Sequence, residues 1–279
     1  MKTIQQVKQF YDEATFRKLH GFIYSNLRIE YAWQSLNTIF DFKKPNQILE
    51  IGSGIGEISY RLASKFNNAN IVGFDISEQS IKIASKLFAL SNLSFVRADR
   101  ITEIKVVKKD KFDIIFLMDV YEHIPVAERD ELQQFIKENI SENGFVFFSC
   151  PTRHHQRYLR ENNPTDLQPV DEDITLKELI DFSDKTLLEL VLYKEVSVWR
   201  TYDYFHAIFS NRLAAQQFCD FRLENKSQSI GLKREILKKI KRINKKNQYE
   251  RENMIQEKKD LIKKKFGQEF LDRVEAYRK

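Results

Sequence analysis

The chain has 279 residues, 42% of them hydrophobic and 31% charged, so it can bury a sizeable core and is not a largely disordered polymer. No stretch approaches the ~18 apolar residues that cross a bilayer, and the first residues lack a signal-peptide pattern. Cys150 and Cys219 lie far apart, which excludes a disulfide framework or cysteine metal cluster and makes a reducing cytoplasm the expected home.

Taken in order, residues 1–44 read as helices, with Leu19, Phe22, Ile23, Leu27, Tyr31, Leu36, Ile39 and Phe40 at roughly helical spacing. After Pro45-Asn46 the pattern changes. Apolar runs at 47–51, 70–75, 94–98, 112–118 and 144–150 read as strands, with helices at about 56–66, 78–90 and 127–140 between them. This alternation predicts a parallel sheet with right-handed crossovers and helices on both faces. Residues 152–173 are polar and read as irregular, a helix is expected at 174–182, and two β-rich runs up to Ser210 suit an antiparallel hairpin at the sheet edge. Residues 211–279 are helical throughout by composition, with no Pro and only Gly231 and Gly267 as glycines. The predicted division is 1–44 as a helical lid, 45–210 as the ligand-binding domain and 211–279 as a basic helical extension.

The net charge of +6 arises in that extension. Residues 226–279 hold 18 Lys and Arg against 8 Asp and Glu, which leaves the rest slightly acidic. The charge therefore says little about the partner of the main domain.

The most informative segment is Ile48-Leu49-Glu50-Ile51-Gly52-Ser53-Gly54-Ile55-Gly56. An apolar strand ends in an acid, enters a glycine-rich turn, and a helix pattern follows. Glycines let a backbone turn sharply and approach a ligand closely. A dinucleotide fingerprint would place its third glycine where Glu57 stands, and a phosphate loop would require a Lys followed by Ser or Thr. The acid before the first glycine suits a cationic ligand better than a pyrophosphate.

Glu50-x-Gly52-x-Gly54-x-Gly56 resembles motif I of the class I, seven-stranded S-adenosylmethionine methyltransferases. The resemblance continues over residues 45–151 and more weakly to about 210. It implies a doubly wound, mostly parallel seven-stranded α/β fold, S-adenosyl-L-methionine as cofactor, and methyl transfer. It also implies cofactor contacts from Glu50, Gly52, Ser53, Gly54 and Gly56. Asp75, with Ile76 after it, matches the acid that accepts hydrogen bonds from the ribose hydroxyls. Asp99, with Arg100, matches the acid near the adenine amino group. Met118 and Asp119 end the strand that lies beside the methionine part.

His123, four residues past Asp119, is the candidate general base, because an imidazole titrates near ~6.5. A structural role for it is the alternative. Asp119, Glu122 and His123 also resemble the acid-acid-histidine grouping of the ubiquinone-biosynthesis O-methyltransferases, where a divalent metal has a proposed role; the first acid is Asp here, and no metal is expected. Tyr11, His154 and His155 are candidate substrate contacts, and Arg28 could pair with the cofactor carboxylate.

The chain lacks the Pro-Pro-aromatic motif of nucleic-acid amino methylases after the fourth strand. A small molecule, sugar or glycan end is the expected substrate, with no DNA partner and transfer to a hydroxyl or amine. The competing readings are a non-catalytic scaffold of the same fold and an RNA-associated methyltransferase using the basic tail. In that tail Ile236, Ile240, Ile243, Ile255, Ile262, Phe266, Phe270, Val274 and Tyr277 form apolar stripes opposite basic faces. These suit a helical hairpin packing on itself or on the main domain, a coiled-coil or homodimer contact, or docking peripheral to an anionic membrane surface.

Overall fold

The computed structural model describes residues 10, 11, 14–103 and 111–277, with side chains at 223–249 outside the description. Two helices, α1 (Thr15–Tyr24) and α2 (Leu27–Phe42), precede the sheet. The Asn26 side chain starts α2 by accepting a hydrogen bond from the Arg28 N–H at 3.1 Å. Then come β1 (Gln47–Ile51), α3 (Glu57–Lys65), β2 (Asn70–Asp75), α4 (Glu78–Leu87), β3 (Leu93–Arg97), β4 (Phe112–Met118), α5 (Arg129–Asn139) and β5 (Ile140–Pro151). The chain continues through α6 (Arg153–Asn162), α7 (Leu176–Thr186), β6 (Glu189–Val196), β7 (Tyr204–Ser210), α8 (Arg212–Phe266) and α9 (Gln268–Glu275).

The seven strands form one sheet in the order β3-β2-β1-β4-β5-β7-β6. The first five are parallel, and β7 runs antiparallel to both β5 and β6. The expected hairpin is therefore present, and its second strand is the one inserted next to β5. The sequence order reverses between β1 and β4, where ligands sit in open α/β sheets.

Period-two alternation sends neighbouring residues to opposite layers. Leu49, Ile51, Ile115, Leu117, Val146 and Phe148 pack with Leu132, Phe135 and Ile136 of α5 and Leu179 and Phe182 of α7. Ile48, Ile114, Phe116, Phe145 and Phe147 face the other way, onto Leu36, Ile39 and Phe40 of α2, Leu62 of α3 and Phe218 at the start of α8. With both faces covered, β1 and β4 read as continuous apolar runs rather than alternating ones.

One expectation needs correction. Residues 153–162, read as irregular, form α6, started by Thr152, whose hydroxyl accepts from the His155 N–H at 3.3 Å. Its buried side chains are His155 and Gln156, both polar, so a search for apolar periodicity passes over it. The tail is helical as expected: one 55-residue helix runs through Gly231 and ends at Gly267, where φ is +91°.

The described part of the tail packs on the main domain. Ile262, Leu271 and Val274 are buried with Leu19, Phe22 and Ile23 of α1 and Ile83 and Leu87 of α4. Lys258 Nζ donates to the Phe22 carbonyl at 2.5 Å, and Tyr24 Oη donates to Glu275 at 3.1 Å. The apolar stripe from Ile255 to Val274 is thus largely taken up within the molecule, whereas the side chains of Ile236, Ile240 and Ile243 lie outside the described residues. No described helix is long and apolar enough to cross a membrane. Because Ile262 is fully buried, Ile262→Ala should lower the unfolding free energy by ~2–5 kcal/mol. Denaturant titration checks this, and a loss below ~0.5 kcal/mol would mean that the tail is not part of the core.

Candidate active site

The carboxyl ends of β1, β2, β3 and β4 lie along one edge of the sheet, so Glu50, Asp75, Asp99 and Asp119 are brought to that edge in strand order. Between β1 and α3 the chain turns through Gly52, Gly54 and Gly56, with φ of +78°, +55° and +80°. Gly52 is dictated by sterics as well as conformation, since a Cβ there would lie 2.2 Å from Val120 Cγ2. The loop is tied to β2: the Gly52 and Ser53 N–H groups both donate to the Phe74 carbonyl at 2.8 Å. Asp75 completes the tie. One carboxylate oxygen accepts from the Gly54 N–H at 2.7 Å, and the other accepts from the Ser77 N–H at 2.8 Å.

Glu50 takes a different position. Its buried carboxyl accepts from both the N–H and the hydroxyl of Ser59 on α3, and burial pushes its pKa up to about 8. Through Ser59 it braces β1 against α3. Ile76 is half-buried beside Asp75. Asp99 pairs with Arg97, and Arg100 is 61% exposed, 3.9 Å from Glu131.

Beyond Met118 the backbone is strained. Asp119 has φ of +55°, an uncommon conformation for a residue with a side chain, and its N–H donates to the Ser149 carbonyl at 2.7 Å. Asp119 Oδ2 lies 2.6 Å from Arg28 Nε. Burial pushes Asp119 up to about 6 against the pull of Arg28, so it remains an anion at pH 7. Arg28, the expected partner of a cofactor carboxylate, thus stands beside Asp119 at the end of β4. Tyr204, at the start of β7, lies beside both, and burial, with Asp119 next to it, raises its pKa.

The 3-10 turn Tyr121–His123 follows. Tyr121 is core: it is buried against Phe148 and Phe182, and its hydroxyl accepts from Gln133 Nε2 at 2.9 Å. Glu122 is 1% exposed, and its own N–H and the Cys150 thiol are the donors that lie beside its carboxyl. Burial, then the charge of Asp119, drives its pKa well above the usual carboxylate range. His123 Nδ1 is 2.7 Å from the Val170 carbonyl, which can only accept, so Nδ1 carries the hydrogen and Nε2 keeps its lone pair. Nε2 lies 3.6 Å from Glu122 Oε1. Burial holds the His123 pKa below its ordinary value, with Asp171 acting in the opposite sense.

Around this turn the structure assembles residues from distant segments. The Tyr11 ring packs edge-on to His123 at 6.5 Å. Gln156 Nε2 donates to Asp171 Oδ1 at 2.9 Å, and the Glu172 N–H donates to the Glu122 carbonyl at 2.9 Å. His155 turns inward, its ring 5.8 Å from Tyr204, and its buried Nδ1 has no hydrogen bond. His154 is exposed. Sequence reasoning missed Tyr204, Asp171 and Gln156, which carry no motif and reach the site only through topology. It also missed Lys18, whose Nζ lies 5.3 Å from the Tyr11 ring centroid. Among the described residues no group of three or more His, Cys, Asp or Glu is arranged to hold a metal ion.

Buried polar atoms without hydrogen bonds gather here among the described residues: Arg28 Nε, Ser53 Oγ, Asp119 Oδ1, both Glu122 oxygens, Gln156 Oε1 and His155 Nδ1. Buried polar groups are ordinarily satisfied, so such a concentration marks a place built to meet a ligand.

The methyltransferase-domain family model matches residues 42–179. The ubiquinone biosynthesis O-methyltransferase of Bordetella avium is 27% identical over 149 residues, 53% of this chain and 57% of that protein. Malonyl-[acyl-carrier protein] O-methyltransferase 2 of Ilyobacter polytropus is 32% identical over 139 residues, 49% of each chain. In both cases the match covers less than two-thirds of the relative's length. The magnesium protoporphyrin IX methyltransferase of Synechocystis PCC 6803, solved with bound SAH, superposes with a TM-score of 0.56 at 16% identity, covering 75% of this chain and 99% of that one. The chain therefore has the class I methyltransferase fold, and residues 42–179 match the methyltransferase-domain family.

Asp75 supports the loop before any ligand arrives. Asp75→Ala leaves the Gly54 and Ser77 N–H groups unpaired in a buried setting, and the unfolding free energy should fall by ~1–3 kcal/mol. A melt indistinguishable from the parent protein would contradict this supporting role.

Proposed function

We propose that the protein transfers a methyl group from S-adenosylmethionine to a hydroxyl, or an amine, of a small molecule, sugar or glycan end. The observation that carries this reading is the cluster of unpartnered buried polar atoms beside the glycine turn, at the reversal between β1 and β4. The residues fit such a donor. Gly52, Ser53 and Gly54 offer backbone and a hydroxyl, and Asp75 retains lone pairs for a ribose diol. Ile76, Asp99 and Arg100 stand on the side of the adenine, with Met118 and Asp119 on the side of the methionine part. The site has no lysine–serine phosphate cradle. The similarity to two O-methyltransferases and to an SAH-bound methyltransferase supports this donor.

A sulfonium supplies an already activated methyl group, so the protein's task is alignment, exclusion of water and removal of a proton. His123 is the base in this reading: its Nε2 lone pair is free to accept a proton, and its Nδ1–H is fixed on Val170. Asp171 then stabilises the cation that forms, 3.3 Å from Nδ1. Tyr11 and His155 line the acceptor side.

Isothermal titration with S-adenosylmethionine separates this reading from a non-catalytic scaffold, which would not bind it. A panel of small hydroxyl compounds and sugars, read by release of S-adenosylhomocysteine, then seeks the acceptor. With an acceptor in hand, His123→Ala should reduce kcat by ~10²-fold or more with donor affinity unchanged. Because only neutral His123 can take a proton and its pKa is depressed, the parent rate should be level near pH 7 and fall only below ~6.5. Full turnover in His123→Ala would remove the base from this position.

A further inference from the structure

We propose that Lys18 binds the carboxylate of the methyl donor, and that α8 and α9 hold α1 in the position that puts it there. The inference rests on the donor reading above.

The three glycines of the turn do different work. A Cβ on Gly52 would strike Val120 at 2.2 Å, and one on Gly56 would strike Phe95 at 2.3 Å, so both are closed off by packing. At Gly54 the nearest atom is Lys18 Nζ, at 3.2 Å. Of the three, this is the position that faces a charged group, and that group is a cation. Lys18 is half-buried, its ammonium lies near the Tyr11 ring, and its charge is close enough to His123 to depress that imidazole. It thus stands between the glycine turn and the proposed base, where the methionine part of the donor would lie.

The chemistry of the donor decides what a lysine can do there. S-adenosylmethionine carries a sulfonium, an ammonium and one carboxylate. A lysine beside the two cationic centres is repulsive unless it pairs with the carboxylate. Arg28, another cation at this end, faces Asp119 through Nε at 2.6 Å, and Lys18 over Gly54 supplies a second cation that can meet the carboxylate.

Its placement depends on α1, and α1 is held from behind by the tail. Leu19, the next residue, is fully buried in the cluster that contains Ile262, Leu271 and Val274. Phe16 packs on Phe270 at 5.3 Å with Arg273 over its ring at 4.6 Å, and Lys258 binds the Phe22 carbonyl. Lys258 also acts on Glu57, the first residue of α3 after the glycine turn. The tail therefore packs behind α1 and brings the charge of Lys258 near the start of α3.

The test compares two ligands on the full chain by isothermal titration: S-adenosylhomocysteine, which has the carboxylate, and 5′-methylthioadenosine, which lacks the whole amino-acid part. Lys18→Met should weaken the first by about tenfold and leave the second unchanged. Lys18→Arg should restore most of the loss. Val274→Ala, remote from the turn, should give a smaller loss with the same selectivity. If Lys18→Met leaves both affinities unchanged, or lowers both equally, while the parent protein binds normally, the carboxylate role is overturned and the donor reading stands. Unchanged binding in Val274→Ala would overturn the supporting role of the tail. A parent protein that binds neither ligand would overturn the donor reading and this proposal together.

Discussion

The hydrogen bond from the Gly54 N–H to the Asp75 carboxylate joins the ends of β1 and β2 across the bottom of the crevice. The shape of the site depends on it. A turn through three positive-φ residues has no repeating hydrogen bonds of its own, so it needs an outside anchor. Asp75 provides that anchor, together with the Phe74 carbonyl, which takes two more N–H groups from the same turn. The open end of the sheet is thus a rigid floor, with groups of opposite charge arranged above it.

Much of that floor was legible in the sequence because local physics writes it there. A strand covered on both faces must be apolar throughout, and a turn at positive φ strongly favours glycine. The edge hairpin was legible for the same reason. What could not be read depends on partners far along the chain. Glu50 looks like a ligand acid because it precedes the glycines, and only packing shows its carboxyl turned onto Ser59. The adjacent pair His154 and His155 is symmetrical in sequence, and the start of α6 turns one inward and the other to solvent. Lys18 is one lysine among many until the fold lays it over Gly54.

The same topology divides labour across the sheet. β1, β2 and β3 carry the turn and the acids on the proposed donor side. β5 and β7 bring His155 and Tyr204 to the other side, with Pro151 paired to Tyr204 in register. Asp203 holds the turn before β7 by accepting from the N–H groups of Val198, Trp199 and Arg200 at 2.7, 2.9 and 3.0 Å. Asp119, strained at the end of the central strand, lies where the two sides meet.

The packing of α1 against α8 and α9 also sets an order on the ribosome. Tyr24 and Glu275 are 251 positions apart, and Leu19, Phe22 and Ile23 complete their core only with Ile262, Leu271 and Val274. While the sheet emerges and pairs, the apolar face of α1 must wait for partners that have not yet been synthesised. Contacts between such distant positions form late, because closing a long loop carries an entropic cost that nearby contacts avoid. The sheet and its glycine turn can therefore be assembled well before the crevice above them acquires its second wall, and a nascent chain passes through a stage with the floor built and the α1 side still open.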